Sequence, residues 1–296
     1  MITVSVASGK GGAGKTSIAA ALAATLGAAC LFADCDVDAA NGAIALGSSI
    51  DSREPYFAGP GYRIEPSACT GCGRCHTACR FGAIEPVAGS RAFRIIQELC
   101  ERCGACVDQC PTKAITTFEK QAGELFVSTG RTGTRLIHAE LEPGEDTSGK
   151  LVALVRKRAA ALALPEATIV VDAPPGIGCP VIASVTGCDL VLVVVEASAS
   201  GIRDAGRLME LILSMKRRSV AIINKTGLNL SMDERAWRML AEAGIPLAGE
   251  IPFDPALRSA EESNLTWASI SCASSDAVKA TLAAIMGVIT TLKEKP

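Results

Sequence analysis

The sequence has few aromatic residues and almost no net charge. Only 4% of its 296 residues are aromatic, so the core must be built from Ala, Val, Ile and Leu. The formal net charge is −2, which gives no electrostatic reason to expect nucleic acid or an anionic membrane as the main partner. Apolar residues make up 49% and charged residues 20%, which excludes a disordered or fibrous chain.

Export and membrane segments are also lacking. The amino-terminal MITVSVASGKGG has no basic region followed by an apolar one, so we expect no export signal and a cytoplasmic protein with reduced thiols. The longest charge-free stretch, Ser17–Ala33, is Ala-rich, interrupted by Gly27 and slightly short for a bilayer span. The carboxyl-terminal segment Asp276–Pro296 has an apolar stripe but few basic residues, which favours a packed helix. We therefore predict no stable membrane anchor.

Short apolar runs alternate with helical patterns along most of the chain. Such runs are typical of parallel strands buried on both faces, and the alternation predicts an α/β fold with a doubly wound, mostly parallel sheet. The predicted strands are Ile2–Ala7, Ala29–Ala33, Thr168–Val171, Leu190–Val195 and Val220–Ile223. The predicted helices are Ser17–Leu26, Leu151–Leu162, Gly201–Met215, Met232–Ala243 and Ala277–Leu292.

A cysteine-rich segment interrupts this alternation. Prolines and glycines between Pro55 and Pro66 predict a linker leading into it. The length of the chain suggests about two domains. We therefore predict that residues 62–118 form a small inserted domain, with residues 1–61 and 119–296 forming the two parts of the main domain.

Residues Gly9–Thr16 read GKGGAGKT, which fits the phosphate-binding pattern G-x-x-x-x-G-K-[ST] between a predicted strand and a predicted helix. Glycines let the backbone approach phosphate oxygens, and the helix points its positive end at them. Lys15 should reach the β- and γ-phosphates, and Thr16 should ligate Mg²⁺. The residues expected to bind ATP or ADP are Gly11, Gly12, Ala13, Gly14, Lys15, Thr16 and Ser17.

A second match, GEDTSGK at Gly144–Lys150, is rejected as a nucleotide site. Leu151 follows it and has no hydroxyl for Mg²⁺. Glu145 and Asp146 would repel phosphate, and no predicted strand precedes the match. Lys150 is interpreted as a solvated loop lysine.

Lys10, directly after the first glycine, resembles the deviant Walker A motif of the MinD/ParA/nitrogenase-iron-protein group of P-loop ATPases. The alternative is an ordinary exposed lysine. The resemblance implies that Lys10 reaches the nucleotide of a partner chain, so that ATP is bound between the subunits of a homo- or heterodimer. It also implies that Asp36 orients the attacking water, with Lys10, Lys15 and Asp36 as the catalytic residues, and that Asp38 is a weaker candidate near Mg²⁺.

Three further segments resemble parts of the same group. The apolar strand ending at Asp172 matches the Walker B arrangement, which implies that Asp172 holds Mg²⁺ or its water, and the run from Asp172 to Gly176 resembles switch II. The strand-end pair Asn224 and Lys225 resembles the pair that contacts adenine. The segment that contains Pro252 resembles the loop that closes over the base.

Two cysteine runs share one spacing. Residues 69–79 read CTGCGRCHTAC and residues 100–110 read CERCGACVDQC. Both fit C-x2-C-x2-C-x3-C, the run of bacterial two-cluster ferredoxins, in which the fourth cysteine binds the cluster of the other run. Arg80 stands where this pattern usually has proline. We predict one [4Fe–4S] cluster on Cys69, Cys72, Cys75 and Cys110, and another on Cys79, Cys100, Cys103 and Cys106.

Zinc and disulfides are the alternative uses of these thiols. Zinc sites also use C-x2-C pairs, but two complete four-cysteine runs do not have that spacing. Disulfides are disfavoured in a reducing compartment. Outside the runs, Cys30 and Cys35 are interpreted as small core residues, and Cys179 as a packing residue rather than a ligand at a dimer interface.

The whole chain resembles MinD-superfamily ATPases with an inserted ferredoxin domain. The resemblance implies a cytoplasmic ATP hydrolase, slow without its partner, that couples Mg·ATP to electron transport or to metallocofactor assembly with a redox or client metalloprotein. Two alternatives stay open. One is a positioning ATPase like MinD or ParA with structural clusters. The other is a ferredoxin-type electron carrier with a regulatory nucleotide site.

Overall fold

The structure is a computed structural model that describes residues 1–143, 145 and 149–294. Its strands are β1 (Ile2–Ala7), β2 (Cys30–Asp34), β3 (Ser49–Tyr56), β4 (Pro60–Ile64), β5 (Ile84–Pro86), β6 (Phe93–Ile95), β7 (Ile115–Glu119), β8 (Gly123–Thr129), β9 (Arg135–Leu141), β10 (Thr168–Asp172), β11 (Leu190–Glu196), β12 (Ser219–Thr226) and β13 (Leu247–Pro252). Its α-helices are α1 (Lys15–Leu26), α2 (Gly42–Ala45), α3 (Arg74–Ala78), α4 (Ala105–Asp108), α5 (Gly149–Leu162), α6 (Cys179–Val185), α7 (Ala199–Ser214), α8 (Leu230–Glu242), α9 (Pro255–Glu262) and α10 (Ser275–Lys293).

A large, mostly parallel sheet organises the chain. Within the described residues it has nine strands in the order β13-β12-β11-β1-β10-β2-β9-β8-β3. The strands from β13 to β9 pair in parallel. The five predicted strands and the five predicted helices are confirmed, with bounds that agree to within three residues.

Both faces of the sheet are covered, as the continuous apolar runs predict. Along β11, Leu190, Leu192 and Val194 belong to one core cluster with α1 and α10. The alternate residues Val191 and Val193 belong to a second cluster with α6, α7 and α8. Because successive side chains of a strand point to opposite faces, these clusters are layers on the two sides of the sheet. The doubly wound α/β prediction is thereby confirmed.

The linker prediction for residues 55–66 is wrong, because strands occupy most of that segment. β3 extends to Tyr56 and β4 covers Pro60–Ile64. β3, β8 and β9 extend the main sheet beyond β2, and β13 forms its other edge. These strands are polar or mixed in sequence, so they lack the uninterrupted apolar runs that identified the central strands.

The chain divides into two compact units. The larger comprises residues 1–54, 125–140 and 149–294, and the smaller comprises residues 55–124 with 141–143 and 145. In the smaller unit β4 pairs antiparallel with β7, and β5 pairs antiparallel with β6. Its likeness to a bacterial ferredoxin and the boundaries at residues 62 and 118 stay predictions.

Helix α10 packs on the main sheet. Val278, Leu282, Ile285 and Ile289 are buried in the same core cluster as β11. The packed helix predicted for this segment is therefore present. By length and composition alone, with a mean hydropathy of 1.3, α10 is the one helix in the described part of the chain that is long and apolar enough to cross a membrane.

Candidate functional site

The predicted phosphate-binding loop joins β1 to α1. Gly12 and Gly14 have φ angles of 76° and 92°, in the left-handed region that favours glycine. A Cβ added to Gly14 would lie 2.2 Å from Nδ2 of Asn224, whereas one added to Gly11 or Gly12 would meet open space. The loop is thus packed against Asn224 at Gly14 and is open at Gly11 and Gly12. An open backbone is what the approach of phosphate to the N–H groups requires.

Lys15, Asp36 and Asp172 meet at the carboxyl edge of the sheet. Nζ of Lys15 lies 3.1 Å from Oδ1 of Asp172 and 3.3 Å from Oδ2 of Asp36. The lysine is only 6% exposed. Burial lowers the pKa of Lys15, but the two carboxylates outweigh burial, so the pKa is raised overall and the ammonium stays charged. The structure therefore brings together three residues to which the sequence assigned catalysis or Mg²⁺ binding.

Asp172 and Thr16 fit the predicted Mg²⁺. The second oxygen of Asp172, Oδ2, is buried and has no hydrogen-bond partner among the described residues. Burial raises the pKa of this carboxyl group, while Lys15 and the Thr16 side chain act to lower it. Burying a carboxylate oxygen without a partner is costly, and a hard cation or its water would satisfy that oxygen. These residues supply the oxygen ligands that Mg²⁺ prefers.

Lys10 is held by Glu196, a residue at the end of β11 that the sequence analysis missed. Nζ of Lys10 lies 2.6 Å from Oε1 of Glu196 and 3.2 Å from Oγ of Ser200. Nζ of Lys225 lies 2.8 Å from Oε2 of Glu196 and 2.7 Å from the carbonyl oxygen of Gly12. Burial raises the pKa of Glu196, but hydrogen bonds from the two lysines outweigh it and lower the pKa overall. Glu196 could have been found from the sequence, because it is a carboxylate at the end of an apolar strand.

Asn224 is a support of the phosphate-binding loop. It is 2% exposed, and its Nδ2 donates to the carbonyl oxygen of Ala13 at 2.8 Å. Its Oδ1 accepts from the N–H of Lys225 at 2.9 Å. Asn224 and Pro252 both line the cavity above the loop. Their predicted contacts with adenine stay predictions.

A cavity of about 920 Å³ lies over the loop. One wall is the segment after β2, which includes Asp36 and Asp38, and another is α9 with the residues that follow it. The hydroxyl of Ser17 donates to the carboxylate of Glu261 on α9. This cavity contains the predicted nucleotide-binding residues Gly11, Gly12, Gly14, Lys15, Thr16, Ser17, Asn224 and Pro252. Ala13 is 2% exposed and presents its backbone to Asn224.

The eight motif cysteines of the smaller unit line two small cavities. The first cavity is lined by Cys69, Cys72, Cys75 and Cys110. The second is lined by Cys79, Cys100, Cys103 and Cys106. Each cavity thus combines three cysteines of one run with the fourth cysteine of the other run, which is the grouping that the motif predicts.

Apolar residues at matching positions close both cavities. Ala83 and Ile84 line the second cavity, and Ala114 and Ile115 line the first. All four are at most 6% exposed. His76 lies beside them, with Nδ1 2.5 Å from the carbonyl oxygen of Ile84.

The thiols around the two cavities do not form a single-ion site in the described part of the chain. In the part of the chain that the structure describes, no group of three or more His, Cys, Asp or Glu side chains is close enough to hold one metal ion. Four thiolates arranged around a cavity suit a [4Fe–4S] cluster, in which each thiolate binds a different iron. Burial and neighbouring cysteines raise the pKa of Cys106 to about 11, so a bound metal would have to displace its proton. The comparisons below do not support iron–sulfur binding, which stays a prediction.

The cysteines outside the runs are not among the described residues that line these two cavities. Cys30 and Cys35 are fully buried, which confirms their interpretation as core residues. Cys179, at the start of α6, is exposed, so the packing role expected for it is wrong. Of the rejected second phosphate-binding match, Gly144, Asp146, Thr147 and Ser148 lie outside the described residues. Lys150 lies on the exposed side of α5 rather than in a loop.

Solved structures of similar fold include MinD proteins. The chain superposes on the MinC:MinD cell division protein complex of Aquifex aeolicus with a TM-score of 0.59 and 20% identity, covering 97% of this chain and 96% of that chain. It superposes on the septum site-determining protein MinD complexed with Mg-ADP from Pyrococcus horikoshii OT3 with a TM-score of 0.58 and 16% identity, covering 100% of this chain and 99% of that chain. At these identities the likeness shows a shared fold.

Sequence comparisons identify the family. The chain is 35% identical to an uncharacterized protein of Methanocaldococcus jannaschii over 232 residues, which are 77% of this chain and 80% of that protein. The CbiA family model, described as the CobQ/CobB/MinD/ParA nucleotide binding domain, matches residues 4–267. That match takes in the loop with Lys15 and the strand that ends at Asp172, so the chain belongs to the CobQ/CobB/MinD/ParA nucleotide-binding domain family.

Proposed function

We propose that this protein is a Mg²⁺-dependent ATPase that acts as a nucleotide switch of the MinD/ParA type. The observation that carries the proposal is the meeting of Lys15, Asp36 and Asp172 beside a loop with Walker A sequence. Membership of a nucleotide-binding family supports it. The fold shared with a MinD protein complexed with Mg-ADP supports it as well.

Each residue of the site would have a distinct role in ATP hydrolysis. Backbone N–H groups of the loop donate to phosphate oxygens, and Lys15 turns from its two carboxylates to the β- and γ-phosphates. Asp36 accepts a hydrogen bond from the attacking water and orients it. Thr16 and Asp172 would hold Mg²⁺, which neutralises charge on the phosphates when bound. Catalysis is then mainly positioning and charge stabilisation.

Lys10 completes the site of a second copy or of a related chain. In the single chain it is paired with Glu196. Its release and its contact with the nucleotide of a partner subunit would make dimer formation depend on ATP. The nucleotide face is therefore the dimer surface in this proposal, and the protein acts in the cytoplasm.

The comparisons support a MinD/ParA-like role better than electron transfer. The structures that share this fold are named as cell division and partition proteins, and one of them contains MinD with MinC. We infer that the nucleotide state governs the binding of a partner protein. ATP-gated electron transfer to a metalloprotein is the narrower hypothesis, and it requires clusters that change potential with the nucleotide state.

A second function, the binding of two [4Fe–4S] clusters, is favoured by one observation. The eight motif cysteines surround two cavities in the crossed grouping of a two-cluster ferredoxin. We propose residues 62–118 as the cluster-binding domain. Bound clusters would stabilise the domain in a positioning ATPase and would serve as redox centres in a gated electron carrier.

The test combines three measurements on one anaerobic preparation. Steady-state ATPase assays with wild type and with Asp36→Ala should show slow hydrolysis that the variant loses. Iron and sulfide analysis should give about eight irons per chain for two [4Fe–4S] clusters. A reductive EPR titration with and without Mg·ATP distinguishes the roles, because a signal that shifts with nucleotide supports gating and an unchanged signal supports structural clusters. Absence of ATP hydrolysis would overturn the proposed ATPase.

A further inference from the structure

Asp34, the last residue of β2, is a fully buried carboxylate beside the catalytic edge. It is 0% exposed, and the sheet register pairs it with Asp172 of β10. It is not among the residues that line the nucleotide cavity, as far as the described chain shows. Asp34 is therefore not placed to contact a nucleotide in this cavity directly.

The carboxylate of Asp34 ties both ends of the loop that follows β2. Its Oδ1 accepts from the N–H of Asp36 at 3.1 Å, and its Oδ2 accepts from the N–H of Gly42 at 2.8 Å. The loop between these two points carries Asp36, Asp38 and Asn41, all of which line the cavity. One side chain thus closes the loop that holds the water-orienting residue.

Gly42 is the residue that permits this closure. A Cβ there would lie 2.8 Å from Oδ2 of Asp34 and 2.6 Å from Cε1 of Phe32. Real Cβ atoms do not approach other atoms so closely, so any side chain at position 42 would push the loop away from Asp34. The close approach of carboxylate and backbone is therefore specific to glycine.

A buried carboxylate is costly unless hydrogen bonds satisfy it. Burial and the charge of Asp172 raise the pKa of Asp34, and the two N–H groups and Lys15 oppose that shift by stabilising the carboxylate. An apolar side chain would avoid this cost but would leave both N–H groups without their acceptor. A carboxylate at this position is therefore explained by the two hydrogen bonds that it accepts from the loop.

We propose that Asp34 is a positioning residue for ATP hydrolysis, which fixes the loop of residues 35–41 so that Asp36 stays oriented toward the phosphate site. The inference rests on the proposed ATPase function. Loss of either hydrogen bond is therefore expected to lower kcat through Asp36, while the phosphate-binding loop still binds nucleotide.

The test uses two independent variants of the full-length protein. Asp34→Asn keeps one carbonyl acceptor but turns an NH₂ group toward the other N–H, and Gly42→Ala forces the loop away from Asp34. Both should lower kcat by about 100-fold, the scale of a misplacement of about 1 Å. The Kd for Mg·ADP should change less than about twofold, since the loop at residues 9–16 is untouched. Gly206→Ala is the matched control, because its Cβ would have only an ordinary contact, 3.7 Å from Sδ of Met239.

A double-mutant cycle separates positioning from general stability. If Asp34 acts through Asp36, the Asp34→Asn/Asp36→Ala double variant should hydrolyse ATP as slowly as Asp36→Ala alone. The inference would be overturned if the kcat losses of the two single variants multiplied in the double variant. It would also be overturned if both Asp34→Asn and Gly42→Ala kept a kcat within about twofold of wild type. Loss of kcat and of Mg·ADP binding together in both variants would also overturn it. A wild-type protein that binds nucleotide without hydrolysing it would instead overturn the proposed function.

Discussion

Nζ of Lys10 and Oε1 of Glu196 lie 2.6 Å apart within one chain. The lysine side chain is 26% exposed and the carboxylate 13%, so the ion pair is partly exposed rather than buried in the core. Partly exposed ion pairs are weak enough to exchange partners. In the proposed dimer, Lys10 would leave Glu196 and contact the nucleotide of the partner chain.

Lys10→Ala is expected to abolish ATP-dependent dimer formation and to lower kcat on the order of 10³-fold, the lower bound for a cationic finger supplied by a partner. Affinity for ADP should be nearly unchanged, since Lys15 and the loop remain. Light scattering with and without Mg·ATP gives the oligomeric state. Lys150→Ala, an exposed lysine on α5, is the control. A monomeric wild type in the presence of Mg·ATP would contradict the prediction.

Asp172→Asn is expected to remove the gain in ATP affinity that Mg²⁺ gives. The carboxylate oxygen Oδ2, which lacks a hydrogen-bond partner within the described residues, is the atom placed to receive the ion or its water. Calorimetric titration of ATP with Mg²⁺ and with EDTA measures the gain. Asp189→Asn is the matched control, because Asp189 accepts from the N–H of Thr3 at the amino edge of the same sheet. Equal Mg²⁺ dependence in wild type and Asp172→Asn would argue against this ion site.

Cys103→Ser is expected to lower the iron content of the chain by up to about four atoms, because it removes one thiolate from a [4Fe–4S] site. Cys179→Ser should leave the iron content unchanged, since Cys179 is also exposed but does not line either cysteine cavity. Iron analysis and visible absorbance after anaerobic purification provide the measurement. Equal iron in the two variants would place the metal elsewhere.

His138 is expected to make the larger unit less stable in mild acid. Burial lowers its pKa to about 4, whereas an unfolded histidine titrates near about 6.5. Between those values the unfolded state binds the extra proton, so the free energy of unfolding falls as the pH is lowered, by about 3 kcal/mol in total. Urea unfolding from pH 7 to pH 4 measures the loss.

His138→Gln should remove this part of the pH dependence. Nε2 of His138 lies 3.0 Å from Oγ of Ser128, and the ring stacks on Phe126 at a centroid distance of 4.9 Å, so glutamine keeps a polar partner for the serine but has no proton to gain. An unchanged slope in the variant would mean that other groups cause the acid sensitivity.

Local patterns made the phosphate-binding loop and the central strands predictable. The Gly9–Thr16 motif needs only its own backbone, and runs such as Leu190–Val195 are apolar because both faces of the strand are buried. The grouping of the cysteines was predictable because the motif places the fourth cysteine of each run with the first three of the other run. These features are encoded by neighbours in sequence.

Other features depend on partners far away in the chain. β13 contains Gly249 and Glu250, and its pairing with β12 includes a register shift, so no apolar run identifies it. Glu196 acquires its role only because Lys10 and Lys225 arrive beside it. Exposure of Cys179 likewise follows from where α6 begins, which its surroundings in sequence do not specify.

The backbone of Tyr56, at the end of β3, accepts a hydrogen bond from the N–H of Ala122, just before β8, at 2.8 Å. The segment between them carries both cysteine runs, and its two ends are held together by that hydrogen bond between neighbouring strands. A much shorter connection could therefore replace the segment and still join the end of β3 to the start of β8.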